Sequence, residues 1–304
     1  MLRRKQFKPG FVALLSCLLL TANCPSQNSD ASGISIDRDL EFANVSGKSL
    51  KLNLYRPKNN SRAVPVVVLI YGGAWMARNQ AMMVSRATWL ADNGFAAAVI
   101  DHRLSSEALF PAQIHDCKAS VRWLRANADR YGLDANHIGV WGDSSGGHLA
   151  SLLGTADHVA LLEGNSGNTN QSSWVQAVVD FFGPTDLLQM QAHALPSSWL
   201  DHNAADSPES LLVGGPIQEN REKAEEADPI KYVTRNAPPF FIVHGEQDPL
   251  VPCHQSELLF EALKKAKADV TFYKIAGAGH GGVVFESEMM RAAVLAFFNE
   301  HLKP

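Results

Sequence analysis

Residues 137–153 read His-Ile-Gly-Val-Trp-Gly-Asp-Ser-Ser-Gly-Gly-His-Leu-Ala-Ser-Leu-Leu, and few folds can accommodate them. The segment begins as a short apolar strand, passes through Gly142-Asp143-Ser144-Ser145-Gly146, and continues as an apolar helical run. A serine flanked by glycines two residues away on either side occupies a sharp, strained turn, and both neighbours must be nearly bare. The turn lifts the Ser144 hydroxyl clear of the sheet. It also sets the hydroxyl at the N-terminus of the next helix, where developing negative charge is favoured. A Gly-x-Ser-x-Gly string alone occurs by chance, and a structural Gly/Ser turn is the alternative. With a strand before it and a helix after it, the string marks Ser144 as a nucleophile.

The rest of the chain repeats strand and helix. Residues 64–70, 95–100, 138–141, 175–182, 240–244 and 270–275 are apolar runs bounded by turn residues, as expected of strands buried on both faces of a parallel sheet. Residues 51–55 alternate and predict an early edge strand. Apolar periodicity predicts helices over residues 82–93, stopping at Gly94, and over 112–131, ending at Gly132. Two more are predicted over 254–266 and 286–302. Strand and helix in this rhythm specify an α/β doubly wound sheet. Two stretches break the rhythm: a polar loop within 155–173, and residues 186–236, rich in Pro, Gly and charge with a helical piece at 218–227. An insertion of the second kind is expected to form a cap or loop over an active site.

A nucleophilic serine needs a base, and the base needs an acid to orient it. In this strand–turn–helix setting the order along the chain is serine, acid, histidine. Asp248, just past the strand at 240–244, is the candidate acid, with Glu246 and Asp186 as competitors. His280, in the glycine-rich loop Gly277-Ala278-Gly279-His280-Gly281-Gly282, is the candidate base. His148 falls in the helix after the nucleophile and reads as a packed core residue. His244 lies inside a strand, His102 and His115 belong to another strand end and helix, and His193 and His202 fall in the insertion. Acyl transfer also needs donors for an oxyanion. The backbone amides of Ser145, Gly73 and Ala74 are the candidates, the last two from the loop Tyr71-Gly72-Gly73-Ala74-Trp75. Trp75, Trp174 and Trp199, with Leu188, Met190 and Leu211, are candidates for lining a substrate pocket, although core packing explains them equally well.

Composition bounds the rest. The 304 residues are 46% apolar and 19% charged, enough for one sizeable core. The net charge is −4 with no basic stripe, which leaves no electrostatic footprint for nucleic acid. Residues 1–10 carry Arg3, Arg4, Lys5 and Lys8, and residues 11–20 are apolar. Small and polar residues follow, so residues 1–26 are expected to be a secretory signal peptide and the chain an exported protein. The apolar run falls short of the about 20 residues that span a bilayer. A retained membrane anchor is one alternative. A lipid-modified Cys24, or Cys17, is another, although Asn23 fits that pattern poorly. Cys117 and Cys253 remain beyond the signal. Export permits a disulfide between them, and two buried free thiols are the other expectation. No Cys/His spacing suits a structural metal.

Together these residues resemble a known group. Tyr71-Gly72-Gly73-Ala74-Trp75 resembles the His-Gly-Gly-x-Trp motif of carboxylesterases, and Gly142-Asp143-Ser144-Ser145-Gly146-Gly147 their Gly-Asp-Ser-Ala-Gly-Gly elbow. Asp101-His102-Arg103-Leu104 and Phe110-Pro111-Ala112-Gln113 resemble the Tyr-Arg-Leu and Phe-Pro-Ala run of the same group. The likeness covers nearly all of residues 35–303. It is nearest to exported bacterial esterases similar to feruloyl and acetyl-xylan esterases, with hormone-sensitive-lipase-like esterases more distant. It implies the α/β-hydrolase fold: a mostly parallel eight-stranded sheet, helices on both faces and a small cap insertion. It also implies hydrolysis of short acyl esters, acetyl or hydroxycinnamoyl groups on plant polysaccharide included, without cofactor or metal. Two departures stand out. Tyr71 replaces the histidine that supports the oxyanion loop, and Ser145 replaces an alanine while keeping its N–H. A peptidase or amidase with the same three residues, and a non-catalytic binding protein on the same fold, are the rival readings.

Overall fold

The computed structural model describes residues 33–58, 62–157 and 159–303. The signal-peptide and lipidation expectations for residues 1–26 lie outside them. Eight strands form one sheet: β1 (Ile34–Val45), β2 (Lys48–Pro57), β3 (Val64–Ile70), β4 (Ala96–Ile100), β5 (Leu133–Asp143), β6 (Ala177–Phe181), β7 (Phe240–Gly245) and β8 (Val270–Ile275). Their order is β1-β2-β4-β3-β5-β6-β7-β8. β1, β2 and β4 pair antiparallel in turn, and every later pairing is parallel.

Helices cover both faces. On one side lie α1 (Val84–Asp92) and α9 (Glu288–Leu302). On the other lie α2 (Ala112–Ala126), the single turn α3 (Ala128–Tyr131), α4 (Ser145–Thr155) and α8 (His254–Ala266). Short helices α5 (Ala160–Glu163), α6 (Pro208–Val213) and α7 (Arg221–Glu226) sit in the two irregular stretches. β3 shows why an all-apolar strand is required here. Val66, Val68 and Ile70 enter one core, while Val67 and Leu69 enter the other. Both faces are dry, so no position can be polar.

Several expectations needed correction. The sheet's edges are β1 and β8: residues 51–55 belong to the longer β2 one place inward, and residues 270–275, expected to be buried on both faces, form an edge strand with no fully buried position. β1 escaped notice because register shifts at Asp37/Leu40 and Glu41/Ala43 interrupt its alternation. The predicted helix 112–131 is two pieces, broken at Asn127. Gly94 and Gly132 do hold the left-handed conformation, with φ of +82° and +66°. Cys117 is a buried free thiol and Cys253 a half-buried one, so the two are not paired.

Strand direction gives the sheet two distinct ends. β3, β5, β6 and β7 finish at the end bearing Tyr71, Ser144, Phe182 and Asp248. Ile34 pairs with Pro57 at the opposite end, where β3 and β4 begin. The 186–236 insertion packs back onto the fold. Leu212 accepts from the Phe110 N–H at 3.0 Å, and the Ala227 carbonyl meets His148 Nε2 at 2.7 Å.

Candidate active site

Ser144 stands between β5 and α4 with φ +53° and ψ −123°, a left-handed conformation that costs an L-residue about 1–3 kcal/mol. The surroundings enforce it. A Cβ on Gly142 would lie 2.0 Å from the Gly146 carbonyl oxygen, and one on Gly146 would lie 2.2 Å from that of Ile70. Only bare backbone lets the turn close this tightly. The Ser144 N–H donates to the Phe181 carbonyl at 2.8 Å, and its carbonyl accepts from His148 at 3.0 Å. The turn is therefore pinned to β6 and to its own helix.

Three loops from separate parts of the chain converge on this hydroxyl. His280 Nε2 is 3.0 Å from Ser144 Oγ, and His280 Nδ1 is 2.7 Å from Asp248 Oδ2. The other Asp248 oxygen accepts the N–H groups of Leu250 and Val251 at 2.8 and 2.9 Å. Asp248 is buried, and burial alone would raise its pKa. Hydrogen bonds from His244 and His280 outweigh that and hold the carboxyl well below the usual carboxylate range. The acid and base loops are stitched together, since the Gln247 N–H donates to the Ala278 carbonyl at 2.8 Å. Phe182 closes one side, its ring edge-on to His280 with centroids 4.7 Å apart. The competing carboxylates lie elsewhere. Asp186 accepts from the Leu188 N–H at 3.1 Å, and Glu246 lies 3.8 Å from Lys274.

The loop after β3 lies directly against Ser144. A Cβ on Gly72 would be 3.1 Å from Ser144 Cβ. Ala74 and Trp75 both hold positive φ, +54° and +56°. Among the described residues no acceptor meets the N–H of Gly73 or Ala74, and Ser145 is the first residue of α4, whose opening N–H groups have no partner within the helix. Ser145 directly follows Ser144, and Gly73 and Ala74 lie in the loop whose Gly72 packs against it. The Tyr71 phenol takes over the support of the loop: its hydroxyl donates to Asp101 Oδ1 at 2.9 Å and its ring stacks on His102. Burial, then the neighbouring Asp101 charge, push that phenol far above its ordinary pKa, so it stays a donor.

A second tie joins the serine and histidine loops. Arg86 reaches Asp143 Oδ1 at 2.6 Å and also pairs with Glu286, and its guanidinium lies over Trp141. Neither Arg86 nor His244 was among the expected site residues. The His244-Gly-x-x-Asp248 spacing across a strand end was the available signal for the latter.

Two aromatic expectations are corrected. Trp75 is 2% exposed, and its indole N–H donates to His148 Nδ1 at 3.3 Å, so it anchors the loop from within the core. Trp174 precedes β6 and lines a crevice of about 400 Å³ with Thr155 and Tyr232, at the far end of α4 from Ser144. Trp199 is 68% exposed in the insertion, and no ring or hydrogen bond among the described residues ties its side chain to Ser144. His148 is the packed core residue expected. Among the described residues, no group of three or more His, Cys, Asp or Glu is placed to hold a metal ion, and no helix is long and apolar enough to cross a membrane.

Comparison with known proteins agrees with this geometry. The model of the BD-FAE family matches residues 52–263. The chain belongs to the BD-FAE family. This BD-FAE chain is 32% identical over 242 residues to Esterase LipC of Mycobacterium tuberculosis (strain ATCC 25618 / H37Rv), covering 76% of its own length and 56% of the relative's. It spans about half the length of the curated relatives it matches. Among solved structures it resembles a truncated form of a carbohydrate esterase from gut microbiota, with TM-score 0.80 and 35% identity over 89% of this chain and 97% of that one. It also resembles a bifunctional GH43-CE of Bacteroides eggerthii, with TM-score 0.77 and 38% identity over 87% and 38% of the two chains. Its fold is the α/β-hydrolase fold.

Proposed function

We propose that this protein is an exported serine esterase that hydrolyses short acyl esters. The observation that carries the reading is the unbroken hydrogen-bonded line Ser144–His280–Asp248, set on a strained turn beside three unpaired amides. His280 takes the Ser144 proton as the hydroxyl attacks the ester carbonyl, and Asp248 stabilises the imidazolium that forms. The amides of Gly73, Ala74 and Ser145 receive the oxyanion. Each such donor contributes about 3 kcal/mol to the transition state. His280 then protonates the leaving alkoxide, and water repeats the sequence on the acyl-enzyme. His280 takes a proton from that water and returns one to Ser144, so the protons pass among Ser144, His280, the leaving alkoxide and the incoming water.

Similarity to a carbohydrate esterase supports a polysaccharide substrate, with acetyl or hydroxycinnamoyl groups as the acyl part. The basic, apolar and small-residue pattern of residues 1–26 supports export, where such polymers are met. The 186–236 insertion is assigned as a cap that shapes the acyl and alcohol pockets.

The test compares p-nitrophenyl acetate, acetylated xylan and methyl ferulate on protein starting near residue 27, with Ser144→Ala as control. Activity on xylan or ferulate that disappears in the variant supports the polysaccharide reading. Activity on p-nitrophenyl acetate alone leaves a general short-chain esterase. Retained turnover in Ser144→Ala overturns the mechanism. Peptide and anilide substrates run alongside separate an amidase from an esterase.

A further inference from the structure

Asp248 Oδ1 accepts two backbone hydrogen bonds and Oδ2 accepts one from His280, and a second histidine stands 3.3 Å from Oδ2. His244 occupies the penultimate position of β7, is wholly buried, and points Nε2 at two groups that can only accept. The Val251 carbonyl lies 2.9 Å away and Asp248 Oδ2 lies 3.3 Å away. Two acceptors facing one ring nitrogen require a proton on it. The opposite nitrogen, Nδ1, lies 2.7 Å from the hydroxyl of Ser256 in the first turn of α8. A hydroxyl can donate or accept, so Ser256 completes the bonding of the ring and fixes its plane.

The consequence concerns Asp248 Oδ2, the oxygen that receives His280 Nδ1–H. A buried carboxylate with one donor on this oxygen could turn about its last torsion, and its second lone pair would lie desolvated and unmet. His244 stands beside that oxygen, its Nε2 at 3.3 Å. The Leu250 and Val251 amides hold the other oxygen. The carboxylate thus has partners at both oxygens, with His244 and His280 sharing Oδ2.

We infer that His244 is a positioning residue, held by Ser256, which locks the Asp248 carboxylate in the orientation that serves His280. This rests on the serine-esterase reading, since a positioned acid matters only if Ser144 is the nucleophile. His244 touches neither Ser144 nor the place of the substrate. It acts wholly through Asp248.

The experiment measures the rate at which a fluorophosphonate labels Ser144, with the kcat and KM for p-nitrophenyl acetate, in a double-mutant cycle. His244→Asn keeps a group near Nδ1 but cannot reach Asp248. We expect its labelling rate and kcat to fall on the order of tenfold to a hundredfold with KM unchanged, the usual scale for losing a hydrogen bond to a charged group. His244→Gln, which places an amide N–H where Nε2 stands, restores most of the rate. In an Asp248→Asn background the His244→Asn change costs nothing further, because the group it acts through is gone. A merely structural role would instead multiply the two losses, and that result overturns the inference. So does an unchanged labelling rate in folded His244→Asn. Should that variant not fold, Ser256→Ala carries the same cycle: a slowed rate that vanishes against Asp248→Asn supports the inference, and an unchanged rate overturns it. Wild-type protein that neither labels nor hydrolyses the ester overturns the esterase reading and this inference together, whereas normal wild-type labelling with an unaffected His244→Asn overturns this inference alone.

Discussion

Arg86 and Asp143 form a buried ion pair at 2.6 Å one residue before Ser144. The same guanidinium holds Glu286, six residues beyond His280, while Arg291 grips the far oxygen of that carboxylate at 3.1 Å. The strained serine turn and the histidine loop are therefore linked by charge as well as by the Ser144–His280 hydrogen bond. Burial pushes the Asp143 pKa up and the Arg86 charge opposes it. Replacing Arg86 by Met strands that carboxyl in the interior. Breaking one side of a buried pair costs about 3–5 kcal/mol. Urea unfolding should show a loss of this size, and the folded fraction should label more slowly with fluorophosphonate. Equal stability in the variant would refute the assignment.

The Trp75 indole and the His148 imidazole make a second testable pair. Trp75→Phe keeps a large ring and deletes one hydrogen bond, which should cost about 1 kcal/mol with kcat nearly unchanged. Trp75→Ala opens a cavity under the loop that offers the Gly73 and Ala74 amides, costing about 3–5 kcal/mol. Its kcat should fall well beyond what lost stability explains. A kcat equal to that of Trp75→Phe would show that the loop needs no buttress.

His148 also sets a pH dependence. Burial drives its pKa down to about 4, and the hydrogen bond to the Ala227 carbonyl only partly opposes this. The unfolded chain takes up the proton near pH 6.5, above the folded value. This group's contribution is therefore complete above pH 6.5 and is lost as pH falls toward 4. At pH 5 the loss amounts to about 2 kcal/mol relative to pH 8. Asp180, its carboxyl raised by burial to about 6, works the other way over the same range, since its folded form holds a proton that the unfolded form gives up. Unfolding His148→Gln beside the wild type isolates the histidine: the gap between them should shift by about 2 kcal/mol in the variant's favour on going from pH 8 to 5. A gap that does not change with pH would mean that His148 is protonated when folded.

Removing Trp174 should leave ester hydrolysis intact. It lies at the strand-start end of the sheet, with its carbonyl held by Arg125. Trp174→Ala should keep kcat/KM for p-nitrophenyl acetate within about twofold while losing some stability, as side chains away from the chemistry do. A tenfold fall in kcat/KM with the fold intact would restore it as a pocket residue.

The site was more legible than its supports. Ser144, Asp248 and His280 announce themselves through local signals: a strand end, glycines that permit close approach, and a fixed order along the chain. The two-faced burial of β3 was equally plain, because both layers demand apolar residues. β1 was not, since Asp37, Arg38, Asp39 and Glu41 lie on a bulged edge where alternation fails. The aromatic residues misled because a side chain's type does not give its direction. Trp75 turns inward to His148 and Trp174 lies at the wrong end of the sheet. His244 looked like strand filling, and its meeting with Asp248 appears only once the intervening turn is folded.

The first described strand begins at the end of the sheet away from Ser144. A linker, bead or carrier joined to the protein at Gly33 itself would attach at the end of the sheet away from Ser144. A protein immobilised through that side would keep Ser144 turned toward the solution, within reach of a probe too large to diffuse behind the domain.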